Sequence, residues 1–249
     1  MLTPERHQII LETIKKHHTV KLKELVKQTG ASESTIRRDL DQLEQSGQLR
    51  RVHGGASLKQ SASDEPSMGE KVSKHHEEKE LIAAHAASLV EHGDCLFIDA
   101  GSTTYAMIPY LKDKDIIVVT NGLNHLDVLT EYQIVTYVLG GYVKHRTRAV
   151  IGAGALQNLQ QYRFDKCFMG TNGVSLEDGF TTPDPEEASI KQTALHLSKS
   201  RYVLADSSKF EQVSFTKFAD LNEAEIITEK QRRRFREFQE KTNVKVVTP

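Results

Sequence analysis

Cysteine is almost absent: Cys95 and Cys167 are the two in 249 residues. Each sits in an apolar run, Cys95-Leu96-Phe97-Ile98 and Cys167-Phe168-Met169, with no partner at metal-ligand spacing. Buried free thiols therefore fit better than a disulfide framework or a zinc site. Long apolar runs are missing too, since no stretch reaches the ~18 residues of a membrane-spanning helix and the N-terminus lacks the apolar segment of a signal peptide. A soluble cytoplasmic protein with no membrane partner is expected. The eleven histidines do not suggest a metal, because His17-His18 and His75-His76 are adjacent pairs that point in different directions on a helix. Neither a metal nor a cofactor is expected. No internal repeat emerges.

Nor is one sign of charge in excess, the formal net charge being −1. That near-neutrality hides a division: residues 1–57 carry a net +3 and the remainder −4. A mildly basic head on an acidic body is the electrostatic footprint of a DNA-binding segment. The chain also has room for a second core of about 180 residues, a usual domain size. Residues 57–74 hold few large apolar side chains and include Pro66 and Gly69, so they read as a hinge. The expected organisation is a first domain at 3–58, a linker at 59–74 and a second domain at 75–249.

In the head, Thr3 and Pro4 suit a helix start, and Ile9, Ile10 and Ile14 give that helix an apolar face to about His17. Leu22, Leu25 and Val26 mark a second helix, Gly30 sits where the chain must turn with positive φ, and Ser32 caps a third helix over 32–43. Along this third helix Ile36, Leu40 and Leu43 form an apolar stripe, while Ser34, Thr35, Arg37 and Arg38 crowd the early turns. Packing does not need that crowding. Hydroxyls and guanidinium groups in the first turns are what a recognition helix presents to a DNA major groove. A helix-turn-helix is thus expected at about 20–39. Leu49-Arg50-Arg51-Val52 followed by His53-Gly54-Gly55 then reads as a basic β-ribbon, a wing whose Arg50 and Arg51 meet phosphates.

Beyond residue 75 a helix at 76–91 is followed by strands at 95–99, 116–120, 134–139, 165–169, 201–206, 225–228 and 244–247, with helices between them. Runs such as Ile116-Ile117-Val118-Val119 are apolar throughout, as expected of parallel strands covered on both faces. The fold class is α/β: a winged helix-turn-helix followed by an open, mostly parallel sheet. In such sheets ligands bind at the carboxyl ends of the strands. There the sequence places Asp99-Ala100-Gly101-Ser102-Thr103-Thr104, whose glycine, hydroxyls and free N–H groups suit a phosphate. It also places Thr120-Asn121-Gly122, then Gly140-Gly141 followed by Lys144, Arg146 and Arg148, and Asp206-Ser207-Ser208-Lys209. Singly each is an ordinary cap, turn or ion pair; their repetition at successive strand ends suggests N–H groups and cations for a phosphate and carboxylates for sugar hydroxyls.

Ser34-Thr35-Ile36-Arg37-Arg38-Asp39-Leu40 together with Arg51-Val52-His53-Gly54-Gly55-Ala56 resembles the signature of the DeoR family of bacterial transcription repressors, and the likeness covers residues 3–58. The resemblance implies DNA contact by Ser34, Thr35, Arg37 and Arg38 and by the wing residues Arg51, His53 and Gly54. Met1-Leu2-Thr3-Pro4-Glu5-Arg6-His7 is similar to the family's fructose-operon repressors. Residues 76–230 resemble the family's C-terminal domain, itself similar to ribose-5-phosphate isomerase. There Asp99, Gly101, Ser102, Thr103 and Thr104 match the phosphate loop, and Thr120, Asn121, Gly140, Gly141, Glu187, Lys191, Asp206 and Lys209 match other site positions. Glu187 has two readings, ligand contact or a carboxylate placed for the dipole of the helix that Asp184-Pro185 begins. The family also implies a homodimer or homotetramer.

Where the isomerase carries an acidic Asp-Gly-Ala-Asp-Glu run, this chain has Gly170-Thr171-Asn172-Gly173-Val174. Neither Thr171 nor Asn172 is a general base at neutral pH, so binding without turnover is expected. The expected function is a repressor of a sugar-utilisation operon, binding double-stranded operator DNA under the control of a phosphorylated sugar, with fructose 1-phosphate as first choice. Two rivals are an isomerase-like enzyme with a DNA-binding appendage and a constitutive DNA binder with an oligomerisation domain. The tail run Arg232-Arg233-Arg234-Phe235-Arg236 reads as a solvated helix face, with Phe235 and Phe238 as its buried side.

Overall fold

The structure is a computed structural model and describes residues 1–17, 19–52, 54–58, 65–230 and 234–248. The chain divides into two compact units, Met1–Ser61 and Ala62–Pro249. His53, the first part of the expected linker (59–64) and, in the tail run, Arg232 and Arg233 lie outside the described residues.

The first unit contains α1 (Thr3–His17), β1 (Thr19–Lys21), α2 (Leu22–Thr29), α3 (Glu33–Gln45), β2 (Leu49–Val52) and β3 (Gly55–Leu58). Ile10, Ile14, Leu25, Ile36, Leu40, Leu43 and Leu49 close a small core from which solvent is excluded. Gly30 ends α2 with φ +67, the conformation its missing Cβ permits. The wing is larger than the two-stranded ribbon expected, because β1 adds to it in the order β1-β3-β2. Three residues such as Thr19–Lys21 are too few to show an alternating pattern.

The second unit begins with α4 (Met68–Ser73) and α5 (His76–Ser88), then β4 (Cys95–Ile98), α6 (Ser102–Met107), β5 (Ile117–Thr120), α7 (Leu123–Glu131) and β6 (Val135–Val138). There follow β7 (Tyr142–Lys144), β8 (Ala149–Ile151), α8 (Ala153–Leu159), β9 (Phe164–Gly170), β10 (Gly173–Ser175), β11 (Gly179–Thr182), α9 (Pro185–His196) and β12 (Ser198–Leu204). It closes with β13 (Thr216–Ala219), β14 (Glu225–Thr228), α10 (Phe235–Lys241) and β15 (Val244–Val246). Seven strands form a sheet in the order β15-β14-β12-β9-β4-β5-β6, every neighbour pair parallel. Alternate residues feed two cores: Phe97, Cys167, Met169 and Val203 on one face, Leu96, Ile98, Phe168 and Leu204 on the other. Burial pushes the Cys167 thiol up to about 12, so it packs as a neutral apolar group. Cys95 is free and half-buried.

Strand order reverses between β4 and β9, the topological switch point at which open α/β sheets bind ligands. Two further small sheets, the hairpin β7-β8 and the antiparallel β10-β11-β13, were not read from the sequence. The second half of the segment expected to be a linker is folded. There α4 starts at a Ser67–Glu70 capping box, and Glu65 and Met68 are each 5% exposed. Phe235 and Phe238 are buried beneath α10, as expected of its apolar side. No helix among the described residues is long and apolar enough to cross a membrane.

Candidate DNA-binding surface and effector site

Helix α3 carries Ser34, Thr35, Arg37 and Arg38, the residues expected to meet DNA. Its N-cap Ser32 accepts a hydrogen bond from the Thr35 N–H at 3.2 Å, and the Ser34 and Thr35 hydroxyls each lie 2.9 Å from Ser32 Oγ. Ser34, Arg37 and Arg38 are exposed and Thr35 is half-buried, while Ile36, Leu40 and Leu43 face the core. Glu33 lies 3.6 Å from Arg37 one turn away, an exposed pair weak enough to yield to a phosphate. Asp39, between the reading residues and the stripe, is buried. Its carboxylate accepts from Arg6 Nη2 of α1 at 2.8 Å and lies 3.2 Å from His7 Nε2. Burial opposes ionisation of Asp39, yet the Arg6 guanidinium holds the carboxyl below its ordinary value. This clamp between α1 and α3 was not read from the sequence, where both residues looked like polar surface.

In the wing, Arg51 is paired with Asp41 of α3, and its N–H donates to Glu44 Oε1 at 2.6 Å. Gly54 is exposed at φ +79 in the hairpin turn, its carbonyl accepting the Leu22 N–H at 2.8 Å. Gly55 has an internal reason to be glycine: a Cβ there would stand 2.1 Å from the Val20 carbonyl oxygen of β1.

In the second unit the switch point is bridged by side chains. Asp99, one residue past β4, accepts from the Gly170 N–H at 3.0 Å and pairs with Lys191 of α9, whose ammonium also donates to the Gly170 carbonyl at 3.0 Å. Asp99 and Lys191 are 1% and 4% exposed, so each is the other's counter-ion away from water. Thr104 is wholly buried, its hydroxyl donating to the Asp99 carbonyl at 2.6 Å, and Thr103 is buried beside it. Gly101 and Ser102, half-buried, start α6 from the same loop. On the next strand Asn121 Oδ1 accepts the Ala100 N–H at 2.8 Å and Thr120 donates to the Ile98 carbonyl at 2.5 Å. His125, not singled out from sequence, is fully buried with Nδ1 3.0 Å from Thr120 Oγ1. Burial, outweighing the Gly101 carbonyl and Asp99, pushes it down to about 4, so this imidazole is neutral.

A second group gathers around Asp206 at the end of β12. Its Oδ1 accepts from the Ser208 N–H at 3.0 Å, whereas Oδ2 is buried with no hydrogen-bond partner among the described residues, Lys209 Nζ lying 4.0 Å away. Lys79 of α5, also missed from sequence, is 4% exposed and donates to the Lys74 carbonyl at 2.6 Å and to that of Lys71. Burial pushes the Lys79 ammonium down to about 8, against the pull of Asp206 and with the repulsion of Lys209 and Lys71. Lys209 is likewise lowered, by burial first and by Lys71 and Lys74, although Asp206 opposes this. Lys71, Lys79 and Lys209 thus act on one another electrostatically around Asp206, whose buried Oδ2 accepts no hydrogen bond among the described residues.

Lys144 belongs to a third group. It lies 2.8 Å from Asp184, 3.1 Å from Glu187 and 2.5 Å from Glu65, and despite burial these carboxylates, Glu187 first, raise its pKa. Glu187, 6% exposed, also accepts from Thr147 at 2.7 Å, so its carboxylate does more than face a helix dipole. Gly140 and Gly141 are exposed at the start of the β7-β8 hairpin, and a Cβ on Gly141 would stand 2.6 Å from the Ile151 carbonyl. Thr171, at the strand end that lacks carboxylates, donates to the Gly173 and Thr181 carbonyls at 2.9 and 3.1 Å. Among the described residues no group of three or more His, Cys, Asp or Glu side chains is placed to hold a metal ion.

A profile of the DeoR-like helix-turn-helix domain matches residues 6–62, and one of the DeoR C-terminal sensor domain matches residues 74–230. Over 251 residues, covering 100% of both chains, the sequence is 56% identical to an uncharacterized HTH-type transcriptional regulator, FruR, of Bacillus subtilis (strain 168). It is 35% identical over 228 residues to the lactose phosphotransferase system repressor of Staphylococcus epidermidis, covering 90% of each chain. It is 33% identical over 228 residues to the HTH-type transcriptional repressor GlcR of Bacillus subtilis (strain 168), covering 91% of this chain and 88% of that one. Among solved structures, ribose 5-phosphate isomerase A from Methanocaldococcus jannaschii superposes on 55% of each chain with a TM-score of 0.42 and 17% identity.

Proposed function

The chain belongs to the DeoR family of DNA-binding transcription regulators, and we propose that it represses a sugar-utilisation operon under the control of a phosphorylated sugar held at the strand ends of its second unit. The observation that supports the effector reading is the buried Asp206 Oδ2, which accepts no hydrogen bond among the described residues and has Lys209 4.0 Å away, together with the buried Lys79, whose charge Asp206 and Lys209 both influence. A buried carboxylate oxygen without a donor costs free energy that a sugar hydroxyl would recover. Like-charged ammonium groups drawn together in a partly buried site are stabilised by an anion, and a phosphate supplies about two negative charges and several acceptor oxygens. Helix α6, which begins in the Gly101–Thr104 loop, packs on α4 and α5. Ser102 and the loop N–H groups supply donors there.

Asp99 and Lys191, both expected to touch the effector, engage each other and Gly170. Their role in this reading is to fix the switch-point loops at which the ligand lies, and Glu187 and Lys144 line the flank by the hairpin. In the first unit Ser34, Thr35, Arg37 and Arg38 meet the operator, with Arg51, His53 and Gly54 at the wing. Fructose 1-phosphate is the first candidate effector, on the likeness of Met1–His7 to the family's fructose-operon repressors. Pairing of two copies on two half-sites supplies the specificity that one small winged helix lacks.

A thermal-shift screen of sugar phosphates tests the effector reading. Fructose 1-phosphate is expected to raise the melting temperature in a concentration-dependent way. Failure of every hexose and pentose phosphate to do so would move the second unit to a purely assembling role.

A further inference from the structure

Glu65 stands where the chain enters the second unit, seven residues after β3 ends at Leu58. Its side chain is buried, and its two carboxylate oxygens are divided between two lysines: Oε1 accepts from Lys71 at 2.8 Å and Oε2 from Lys144 at 2.5 Å. Its backbone carbonyl accepts from Arg146 Nε, and three residues on the Met68 N–H donates to the Arg146 carbonyl at 3.0 Å. The strap 65–73, made of this entry and α4, is therefore fastened to the β7-β8 hairpin at one end. At the other, Lys79 of α5 holds the carbonyls of Lys71 and Lys74.

The charges around Glu65 are finely balanced. Lys144 serves three carboxylates at once, those of Glu65, Asp184 and Glu187, whereas Lys71 is paired with Glu65 and its charge also lowers the pKa values of Lys79 and Lys209. A phosphate entering among Lys71, Lys79 and Lys209 brings about twice the charge of a carboxylate. It takes Lys71 as counter-ion. Glu65 is then left, buried, with one ammonium shared among three carboxylates, and an under-compensated buried charge moves to water.

Resting on the effector reading given above, we propose that Glu65 is the effector site's internal counter-anion: its carboxylate holds Lys71 and Lys144 in the unliganded protein, the effector's phosphate takes Lys71 from it, and the strap 65–73 is released. Because the strap runs directly into the chain that leads to the wing, its release reaches the DNA-binding unit through covalent continuity. The residue also sets selectivity. A neutral sugar lacks the charge to displace a carboxylate, so only the phosphorylated form opens the strap.

The full chain is tested with operator DNA and fructose 1-phosphate, comparing wild type with Glu65→Gln, which keeps size and removes the charge, and Arg146→Ala, which frees the carbonyl of Glu65. Without any sugar, both variants are expected to exchange the amides of 65–73 about tenfold faster than wild type. Both are also expected to shift operator affinity by about fivefold in the direction in which fructose 1-phosphate shifts the wild type. Adding the sugar phosphate then produces a much smaller further change than in wild type. If the wild type responds to fructose 1-phosphate while both variants keep wild-type operator affinity, response and exchange, the inference fails and the effector reading stands. If no sugar phosphate moves the wild type's melting temperature or operator affinity, the effector reading fails and this inference falls with it.

Discussion

On α3 the side chains of Arg37 and Arg38 stand in solvent, whereas at the strand ends of the second unit Asp99, Lys191, Glu187 and Asp206 are each more than nine-tenths buried. Exposed charges contribute little to holding a fold, and water holds them ready for a partner that brings more charge than water does. Buried charges do the opposite. They are costly to leave unpaired, so they fix loops in one arrangement, and Asp206, ion-paired with Lys209 through an Oδ2 that accepts no hydrogen bond among the described residues, keeps one acceptor open. The reading unit thus keeps its chemistry on the outside, and the sensing unit keeps it inside.

Three changes test this contrast, in descending order of expected effect. Lys191→Met removes one partner of the switch-point pair and leaves Asp99 buried without its ammonium; the cost is expected to be about 3–5 kcal/mol. Denaturant unfolding of the second unit measures it, and a loss below about 1 kcal/mol would place Asp99 and Lys191 with ordinary surface pairs.

The next is a pH effect at His125. Its folded pKa of about 4 lies below the ordinary 6.5, so between those values the unfolded state binds a proton that the folded state refuses. Stability is therefore full above pH 6.5 and falls as the pH drops toward 4, by about 3 kcal/mol in all. His125→Asn should flatten that part of the stability profile; an unchanged slope would assign it to other groups.

The mildest is Arg38→Ala on the exposed side. It is expected to weaken operator binding by about 1–3 kcal/mol while leaving the melting temperature and effector binding at wild-type values. Anisotropy titration with operator DNA and thermal shift with fructose 1-phosphate separate these quantities, and equal loss of both would contradict the division between the units.

The same contrast explains what could be read from the chain. The recognition helix was legible because exposed and buried residues alternate along it at helical spacing, and the parallel strands because runs such as Ile116–Val119 have no polar face. Asp99 and Asp206 were legible as polar residues placed just after such runs, and Gly101 as a glycine in the loop that follows one. Lys79, by contrast, sits in Glu77-Glu78-Lys79-Glu80, which reads as a solvated helix face; its burial comes from α4 packing over it. Asp39 and Arg6 are separated by 32 intervening residues and meet only when α1 crosses α3. Glu65 lies in a polar, proline-containing stretch, and only Lys71, Lys144 and Arg146, brought in by tertiary structure, account for its burial. The strands of the small sheets, three or four residues each, are too short for a periodic pattern.

On this mechanism a sugar phosphate bound by the inner charges governs what the outer charges grip. Its most direct test is the operator affinity of the full chain with and without saturating fructose 1-phosphate, in wild type and in Lys209→Ala. A shift of about fivefold or more is expected in wild type, and in Lys209→Ala a wild-type affinity for DNA with the shift abolished. An operator affinity indifferent to every sugar phosphate, or a full response in Lys209→Ala, would contradict it.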